Sequence, residues 1–541
     1  MYINFSDIPG HQNLFLDYLY EFENVADFYA NDFRNRESYL KTFKNVTESR
    51  ESLSSDVAEI INRQYVNLNP SNLTKQNLKK LSDKKTLTII TGQQLGIIGG
   101  PLYTFYKIIT AIKLSRFLSE RYDDYNFVPV FWLEADDHDF NEVRSVKIID
   151  EENSILTVGY KAEIEEDDLK QSVGLIKLDG SINDFFDNLT RSLKETEFKS
   201  KLIERLKDFY KEGRTFKEAF KDLLFNYFDD YGLIIFDPQD SEVKTLLKPI
   251  FKKEITDFRN HTEQLVHVSA TLEELYHAQV KIKPVNLFLR VDEGRYSIEP
   301  LENEYRLRRK RKSFTQEQLL ELLENEPDKF SPNVLLRPIC QDYLFPTAFY
   351  IGGPSEIAYF AQIKPLYDLY NITQPMIYPR SSATILENSI SNSLEKYSLT
   401  LNDIFFDIDS VKKRIINSIE ESSVDEIFSG IENQIEVTFD QLKEKLLDID
   451  KTIADSSNRY RDKILGTISE LKSKAEKAQQ KKYEVTLRQI DRAAIYLFPN
   501  SNLQEREINF VYYANKYGED FLKKIFEELQ INKFEHQIIK L

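Results

Sequence analysis

The sequence predicts an α/β protein in which an open, parallel sheet is followed by a long helical coiled coil. Apolar, strand-like runs alternate with helical segments between residues 86 and 390, which is typical of a parallel sheet covered by helices. Beyond residue 390 glycine becomes rare, proline is absent until Pro499, and apolar residues recur at heptad spacing. We therefore predict a core at 1–390 with insertions near 151–230 and 256–332, a coiled-coil domain at 391–500, and a C-terminal segment at 501–541 that packs back on the core.

The first strand is predicted from the apolar, β-branched run at 87–91, which ends at a loop of glycines and glutamines. Pro101 suits the first position of the helix that follows, because proline has no N–H to leave unpaired there. The free N–H groups of such a helix start favour an anion. The glycine spacing matches neither a dinucleotide-binding fingerprint nor a P-loop, so a ligand-free tight turn and a phosphate-binding loop both stay open.

Further strands are predicted at 127–133, 232–236, 334–339, 348–351 and 375–380. In an open parallel sheet the ligand crevice lies beyond the carboxyl ends of the strands. The loops that follow these strands should therefore converge on one site. Their candidate substrate-binding or nucleotide-binding residues are Thr91, Gly92, Gln93, Gln94, Gly100, Tyr103, Lys107, Trp132, Asp342, Gly352, Gly353, Glu356, Ser381 and Ser382.

The densest polar cluster is Asp136-Asp137-His138-Asp139, directly after the strand that holds the only tryptophan. Carboxylates and an imidazole at a strand end suit a hard cation, general acid and base catalysis by His138, or the binding of a substrate amine. The alternative is a solvated acidic turn in which the histidine caps a helix. We predict that Asp136, Asp137 and His138 take part in catalysis.

Three further charged candidates also have structural alternatives. Lys107 lies two helical turns beyond Gly100 and could reach a phosphate, but it could equally be an exposed helical lysine. Arg380, beside two serines, is predicted as a catalytic anion clamp, with a structural salt bridge as the alternative. The Gly-Gly-Pro sequence recurs at 352–354, so a second helix start is predicted to hold an anion, with a simple turn as the alternative. Glu356 lies in the first turn of that predicted helix, where it could serve only the helix dipole.

Composition limits the classes of partner. The net charge of −17, from 89 acidic and 72 basic residues, argues against nucleic-acid binding. The basic run at 306–312 is predicted to be a solvated face, with phosphate contact as the alternative. The single cysteine, Cys340, excludes an internal disulfide and a zinc site made of several cysteines, and its apolar neighbours predict a buried thiol. We expect a cytoplasmic protein with no membrane partner, because no secretory signal and no apolar run of about 18 residues is visible.

The coiled-coil domain contains a narrow apolar seam with three- and four-residue spacing. It consists of Ile435, Phe439, Leu442, Leu446, Ile449, Ile453 and Tyr460, and after a slip of one residue it resumes at Ile464, Leu471, Ala478 and Val485. A helical hairpin and a coiled coil with another subunit both stay open, with residues 455–458 as an interruption. So narrow a stripe is expected to pack against a partner helix.

A set of motifs runs in order through almost the whole chain. It comprises Thr91-Gly-Gln-Gln-Leu-Gly, Gly100-Pro-Leu-Tyr-Thr with Lys107, Phe131-Trp with Asp136-Asp-His-Asp, Ser331-Pro-Asn-Val-Leu-Leu-Arg-Pro with Gln341-Asp, Tyr350-Ile-Gly-Gly-Pro with Glu356-Ile-Ala-Tyr-Phe-Ala-Gln, Tyr378-Pro-Arg, and Leu503-Gln-Glu-Arg506. No single motif is specific, but together they resemble the BshC family, the ligases that add cysteine in bacillithiol biosynthesis.

The resemblance implies a Rossmann-like core similar to class I aminoacyl-tRNA synthetases, with connecting-peptide insertions, and a coiled coil that forms a homodimer. It implies amide formation between the carboxyl of L-cysteine and the amine of glucosaminyl-malate, through an activated carboxyl such as an adenylate made from ATP. The synthetase signature His-x-Gly-His is absent, and the loop at Arg380 only partly replaces Lys-Met-Ser-Lys-Ser. We expect no zinc held by cysteines and assign no metal ligand, while a metal at the Asp136-Asp137-His138-Asp139 cluster stays open. The alternative functions are a metal-dependent hydrolase built on Asp136 to His138 and a non-catalytic coiled-coil scaffold.

Overall fold

The computed structural model describes residues 1–48, 54–161, 171–292, 294–302, 304–419 and 424–541. The chain forms two compact units, one made of 1–385 with 502–539 and the other made of 386–501 with 540–541. The first unit is an α/β structure and the second is built mainly of helices. Among the helices of the described residues, none is both long and apolar enough to cross a membrane.

The first unit is built on a parallel sheet of five strands, β1 (Thr86–Gln94), β2 (Asn126–Glu134), β3 (Ile234–Phe236), β4 (Thr347–Gly352) and β5 (Met376–Pro379). Their order across the sheet is β3-β2-β1-β4-β5, and every neighbouring pair runs parallel. Nearly every residue of these strands is buried, as expected of a sheet covered on both faces. Chain order reverses between β1 and β4, which opens a crevice at their carboxyl ends.

Three long helices flank this region, α1 (Tyr103–Ser119), α2 (Lys248–Glu273) and α3 (Pro354–Tyr370). Helix α1 connects β1 to β2, and α3 connects β4 to β5. The other α-helices described in this unit are Asn13–Tyr20, Tyr39–Glu48, Ser54–Gln64, Asn72–Lys80, Phe140–Val143, Ser181–Ser192, Lys199–Phe209, Phe216–Phe228, Ser241–Leu246, Gln316–Asn325, Arg337–Leu344, Gln504–Glu507, Phe510–Tyr517 and Asp520–Glu528.

Antiparallel strands build much of the rest of this unit. A second sheet has the order Ser313–Thr315, Glu304–Leu307, Gly294–Leu301, Leu287–Val291 and Phe330–Pro332. This sheet forms one wall of the crevice. The basic run at 306–312 lies at the end of one of its strands and in the turn to the next. Shorter strands are Tyr2–Ile3, Ser145–Ile149, Ile155–Gly159, Ser382–Leu386 and His536–Lys540.

The strand predicted at 334–339 is wrong, because Arg337–Leu344 is an α-helix. A short apolar run looks the same in a buried strand and a buried helix, so its periodicity could not separate the two. Pro338 suits the first turn of that helix. Cys340 lies on the same helix and is buried, as predicted for its thiol. Burial raises the pKa of this thiol far above the usual range.

The helix start predicted at Pro101 is also wrong. Helix α1 begins at Tyr103, and Pro101 instead forms an antiparallel bridge with Asn509. The Asn509 side chain donates to the carbonyl oxygens of Ile98 at 3.0 Å and Gly100 at 2.5 Å. The C-terminal segment thus holds the glycine loop by its carbonyl oxygens, a contact that no local pattern announces.

The second unit contains a helical hairpin of α4 (Val424–Leu447) and α5 (Lys451–Lys482). Asp450 begins α5, where its carboxylate accepts from the N–H groups of Thr452 and Ile453. The chain therefore turns at 448–450, and the interruption predicted at 455–458 is wrong. The remaining helices of this unit are Asn388–Lys396, Leu401–Phe405, Ile408–Ile419 and Glu484–Leu497.

The predicted apolar seam divides into two rows in this hairpin. Ile435, Phe439 and Leu446 are half-buried. In contrast, large apolar side chains remain exposed on α5, including Tyr460 at 66% and Leu471 at 55%. The heptad pattern therefore contains two rows of apolar residues. The half-buried residues form an inner row, and the exposed residues of α5, such as Tyr460 and Leu471, form an outer row.

We predict that Asn509→Leu lowers the free energy of unfolding by about 2–4 kcal/mol, because two buried carbonyl oxygens lose their donor. The midpoint of urea unfolding measures the change. Asn67→Leu, at an exposed position, is the control and should leave the midpoint nearly unchanged. Equal midpoints for Asn509→Leu and the wild type would show that the C-terminal segment does not hold the glycine loop.

Candidate functional site

The carboxyl ends of the parallel strands open into one cavity of about 520 Å³. It lies where chain order reverses in the sheet, the position expected for a ligand. The structure brings together residues that lie far apart in the sequence. The predicted site residues that line the cavity are Gly92, Gln93, Gln94, Tyr103, Lys107, Trp132, Asp136, Asp137, His138, Gly353, Glu356 and Arg380.

Other predicted site residues do not line this cavity, namely Thr91, Gly100, Gly352, Ser381, Ser382 and Asp342. The Thr91 hydroxyl donates to the Ile351 carbonyl oxygen at 3.1 Å and so links β1 to β4. Asp342 lies on a helix, where it accepts from the Tyr367 hydroxyl at 2.5 Å. These residues support the framework around the cavity.

A buried ion pair joins Lys107 to Glu356 beside the cavity, with Nζ and Oε2 2.5 Å apart. Lys107 also donates to the Gly92 carbonyl oxygen at 3.0 Å and to Gln93 Oε1 at 2.9 Å. An ammonium has three N–H donors, so these three acceptors use its whole capacity. The arrangement therefore does not favour the phosphate contact predicted for Lys107. The alternative, an exposed helical lysine, is wrong, because the side chain is buried.

Glu356 occupies the N-terminus of α3. Its carboxylate accepts from the Gly353 N–H at 2.8 Å and from the Tyr350 hydroxyl at 2.5 Å. Burial acts to raise the pKa of Glu356, but Lys107 and these hydrogen bonds hold it below its ordinary value. A carboxylate already stands where an anion would meet the helix N-terminus, so the chain itself fills this second predicted anion site.

Glu134, the last residue of β2, lines the cavity beside Arg337. Its Oε1 lies 3.0 Å from Arg337 Nε. Burial raises the pKa of Glu134 to about 7, assisted by Asp137, Asp136 and Glu356 and opposed by Arg337. A carboxyl group with this pKa can give or take a proton near neutral pH, which a general acid or base requires.

Arg337 is fixed by partners on both sides. Its Nη1 donates to Gln341 Oε1 at 2.8 Å, and its Nη2 donates to the Tyr359 hydroxyl at 3.0 Å. The guanidinium also lies 5.2 Å from the centre of the Tyr350 ring. Arg337 can therefore hold Glu134 in one orientation toward the cavity.

The Asp136 carboxylate is paired with Lys244, with Oδ2 and Nζ 2.6 Å apart. Burial would raise the pKa of Asp136, but Lys244 keeps it below its ordinary value. The Asp137 carboxylate accepts from Gln94 Nε2 at 2.5 Å and from the His138 N–H at 2.7 Å. Within the described residues, no group of three histidine, cysteine, aspartate or glutamate side chains is placed to hold a metal ion.

His138 does not suit the predicted role of general base. Its Nδ1 lies 3.1 Å from Arg295 Nη1, and a guanidinium can only donate, so Nδ1 accepts and the neutral ring carries its hydrogen on Nε2. Burial and Arg295 both lower the pKa of His138. The ring can donate a hydrogen bond, but its basic lone pair is already used. Asp139, rather than His138, caps the following helix.

Arg380 forms the structural salt bridge that was the alternative to an anion clamp. Its Nη2 lies 2.6 Å from Oε1 of Glu505, a fully buried residue of the C-terminal segment. Its Nη1 donates to the Ser381 carbonyl oxygen at 3.1 Å, and its guanidinium lies 5.2 Å from the Tyr103 ring centre. Arg380 still lines the cavity, and exposed Arg506 lines it as well.

Sequence patterns missed several lining residues, among them Glu134, Lys283, Arg295 and Arg337. Glu134 could have been found from the sequence, because it is the charged residue that ends a buried strand and it directly precedes the polar cluster that was predicted as catalytic. Lys283 and Arg295 had none, because they lie in the predicted insertion and reach the cavity only through the antiparallel sheet.

The chain is similar over its full length to known proteins. Residues 1–381 match the family model described as bacillithiol biosynthesis BshC, N-terminal Rossmann-like domain. Residues 383–541 match the model for the C-terminal coiled-coil domain of BshC. The predicted Rossmann-like core and C-terminal coiled coil are therefore confirmed.

Curated relatives give the same result. A protein of Salinibacter ruber is 33% identical over 529 residues, which cover 97% of this chain and 96% of the relative. A protein of Chlorobaculum tepidum is 32% identical over 551 residues, which cover 98% and 97% respectively. Both carry the name cysteine ligase BshC. The chain belongs to the BshC family of bacillithiol biosynthesis.

Proposed function

We propose that this protein is a ligase that joins the carboxyl group of L-cysteine to the amine of glucosaminyl-malate and so forms bacillithiol. The similarity to relatives named cysteine ligase over 96% of their length carries this proposal. The motif residues of that similarity also meet in one cavity. The comparisons give no support to a hydrolase or a non-catalytic scaffold.

The charges of the cavity suit anionic substrates. Its lining contains seven cationic side chains (Lys107, Lys281, Lys283, Arg295, Arg337, Arg380 and Arg506) against five carboxylates (Glu134, Asp136, Asp137, Glu142 and Glu356). Glucosaminyl-malate carries carboxylates and ATP carries phosphates, so both fit a net positive lining. We propose ATP as the co-substrate, because an amide does not form from a free carboxylate without an energy source.

We assign proton transfer to Glu134 instead of His138. Attack by the substrate amine on the activated cysteine carboxyl forms the new C–N bond, breaks the bond between the acyl carbon and the oxygen of the activating phosphoryl or nucleotide group, which leaves, and requires the nitrogen to lose a proton. The Glu134 carboxylate lines the cavity and is oriented by Arg337, so it can accept that proton. Asp137 and Glu142, which also line the cavity, would attract the ammonium form of the amine.

We propose that the Rossmann-like core is related in structure to class I aminoacyl-tRNA synthetases. The relationship concerns the fold and not the reaction. Gly99-Gly100-Pro101 stands where those enzymes have histidines, and Asn509 covers it. Activation of the cysteine carboxyl must therefore use other side chains of the cavity. We also propose a cytoplasmic location, where its small-molecule substrates would be available.

We propose that the outer row of the coiled coil joins two copies of the chain. Ile453, Tyr460, Ile464 and Leu471 follow heptad spacing on α5 and are 41–66% exposed. Ile427, Ile431 and Leu442 are similarly exposed on α4. A second copy can cover this row with an identical row, as in a twofold symmetric interface.

The first prediction from the proposed function tests the reaction. Purified protein incubated with L-cysteine, ATP and glucosaminyl-malate should yield a product with the mass of the two joined substrates less one water. Mass spectrometry detects this product, and leaving out any one of the three compounds is the control. Absence of product with any nucleoside triphosphate would contradict the proposed function.

The second prediction concerns Glu134. Glu134→Gln should lower kcat by about 10²- to 10⁴-fold, because the amide keeps the acceptor for Arg337 but cannot take a proton. A base works in its deprotonated form, so wild-type activity should fall as the pH drops below about 7. The pH profile of kcat/KM measures this inflection, which Glu134→Gln should lose and Glu134→Asp should retain. An unchanged inflection in Glu134→Gln would exclude this residue as the base.

The third prediction concerns the dimer. Sedimentation equilibrium should give about twice the chain mass of 63.7 kDa for the wild type. Leu471→Glu should weaken association by about a hundredfold or more, because symmetry buries two added charges. Ser473→Glu adds the same charge on another face of α5 and should remain dimeric. A monomeric wild type, or a dimer of undiminished stability in Leu471→Glu, would count against this interface.

A further inference from the structure

Arg295 is a buried cation that faces the cavity and has no ion-pair partner among the residues that the structure describes. It is 7% exposed, and in the described part of the chain no carboxylate oxygen lies within 4.0 Å of its guanidinium nitrogens. Asp136, Asp137 and Glu134 act on the Arg295 charge from beyond that distance, and two of them are paired with other cations, Asp136 with Lys244 and Glu134 with Arg337. Burying a guanidinium without a direct ion pair is costly, and an anion bound in the cavity would reduce that cost.

The donors of Arg295 are only partly used. Its Nε donates to Ser331 Oγ at 2.8 Å, its Nη2 to the Pro332 carbonyl oxygen at 2.7 Å, and its Nη1 to His138 Nδ1 at 3.1 Å. A guanidinium has five N–H groups, so two remain, one on each terminal nitrogen. That pair is what a carboxylate or a phosphoryl group uses in a bidentate contact.

A second cation, Lys283, lies near the Phe288 ring that Arg295 also contacts. The Arg295 guanidinium carbon is 3.7 Å and the Lys283 ammonium 5.3 Å from the centre of the Phe288 ring. Among the described residues, Lys283 likewise has no carboxylate within 4.0 Å. Burial together with Arg308 and Arg295 lowers the pKa of Lys283, which reflects the crowding of positive charges here.

We propose that Arg295 and Lys283 form a subsite that binds an anionic group of a substrate, either a carboxylate or a phosphoryl group, beside the Phe288 ring. The bound anion gives a direct ion-pair partner to two cations that have none among the described residues, and the two open N–H groups of Arg295 fix its orientation. The subsite rests on the proposed function, since it assumes that this cavity binds the substrates of the ligase. The anion comes from the malate part of glucosaminyl-malate or from the triphosphate of the nucleotide.

Two probes distinguish these sources on the full-length protein. L-malate carries the carboxylates alone, and inorganic tripolyphosphate carries the phosphoryl groups alone. Calorimetric titration at constant ionic strength gives the affinity for each. Trp132, the single tryptophan of the chain, lines the same cavity, so its fluorescence reports whether the probe binds there.

Lys283→Gln and Arg295→Lys test the two cations. Lys283 is half-buried, so its replacement should leave the fold intact, and Arg295→Lys keeps the charge but loses the fork of donors. Each change should raise the Kd of one probe by about 10- to 100-fold, the effect of one charge-assisted hydrogen bond. Lys310→Gln is the matched control, because Lys310 is paired with Asp292 at 2.7 Å and does not line the cavity.

A weakened malate affinity in both variants supports a carboxylate subsite, and a weakened tripolyphosphate affinity supports a phosphoryl subsite. Wild-type affinity of both variants for both probes overturns the proposal, and so does a wild type that binds neither probe. Product formation by the wild type is measured separately. Failure of the subsite can therefore be told apart from failure of the proposed reaction.

Discussion

Lys107 reaches from α1 to Glu356 at the start of α3, and this buried pair ties together the two strands between which chain order reverses. Removing both charges from water costs several kcal/mol, which only close and complete hydrogen bonding can offset. Lys107 meets that condition with three acceptors at 2.5–3.0 Å. Loss of one partner would leave the other charged and buried, at a cost of about 3–5 kcal/mol. Electrostatic interactions therefore fix the positions of the side chains at the edge of the cavity. This edge can remain polar although the sheet below it is apolar.

The same principle recurs around the cavity. Glu134 is paired with Arg337, Asp136 with Lys244, and Arg380 with Glu505. Each pair joins residues more than 100 positions apart in the sequence. Charges held this way need little rearrangement when a substrate arrives, and such preorganisation is the main means by which enzymes stabilise developing charge.

The sequence predicted the five parallel strands, because a doubly covered strand reads as a continuous apolar run. It ended the first strand too early, since Gly92 to Gln94 are polar or small and yet continue the ladder to β2. Gly92 is required there, because an added Cβ would lie 2.9 Å from the Trp132 carbonyl oxygen. The helix at Arg337 was missed because a short apolar run has no decisive period.

The candidate site was predictable only to the level of which loops meet. Sequence could not show that Arg295 uses the Nδ1 lone pair of His138, because that contact joins residues 157 positions apart. It could not show that Glu134 would be buried among other carboxylates, which is what raises its pKa. Residue type indicates which chemistry is available, but the state of a proton is decided by neighbours that only the fold supplies.

The positions of Glu134 and Arg295 have a consequence for how a substrate would lie. Both face the same cavity, and the charge of Glu134 acts on Arg295. Glucosaminyl-malate carries an amine and carboxylates in one molecule, so a carboxylate held at Arg295 directs its amine toward the acidic side chains and Glu134. A phosphoryl group held at Arg295 would instead bring the leaving group of the activated carboxyl close to the base. In both arrangements the proton acceptor and the anion subsite would hold one bound substrate from the same cavity, the first at its amine or activated carboxyl and the second at its anionic group.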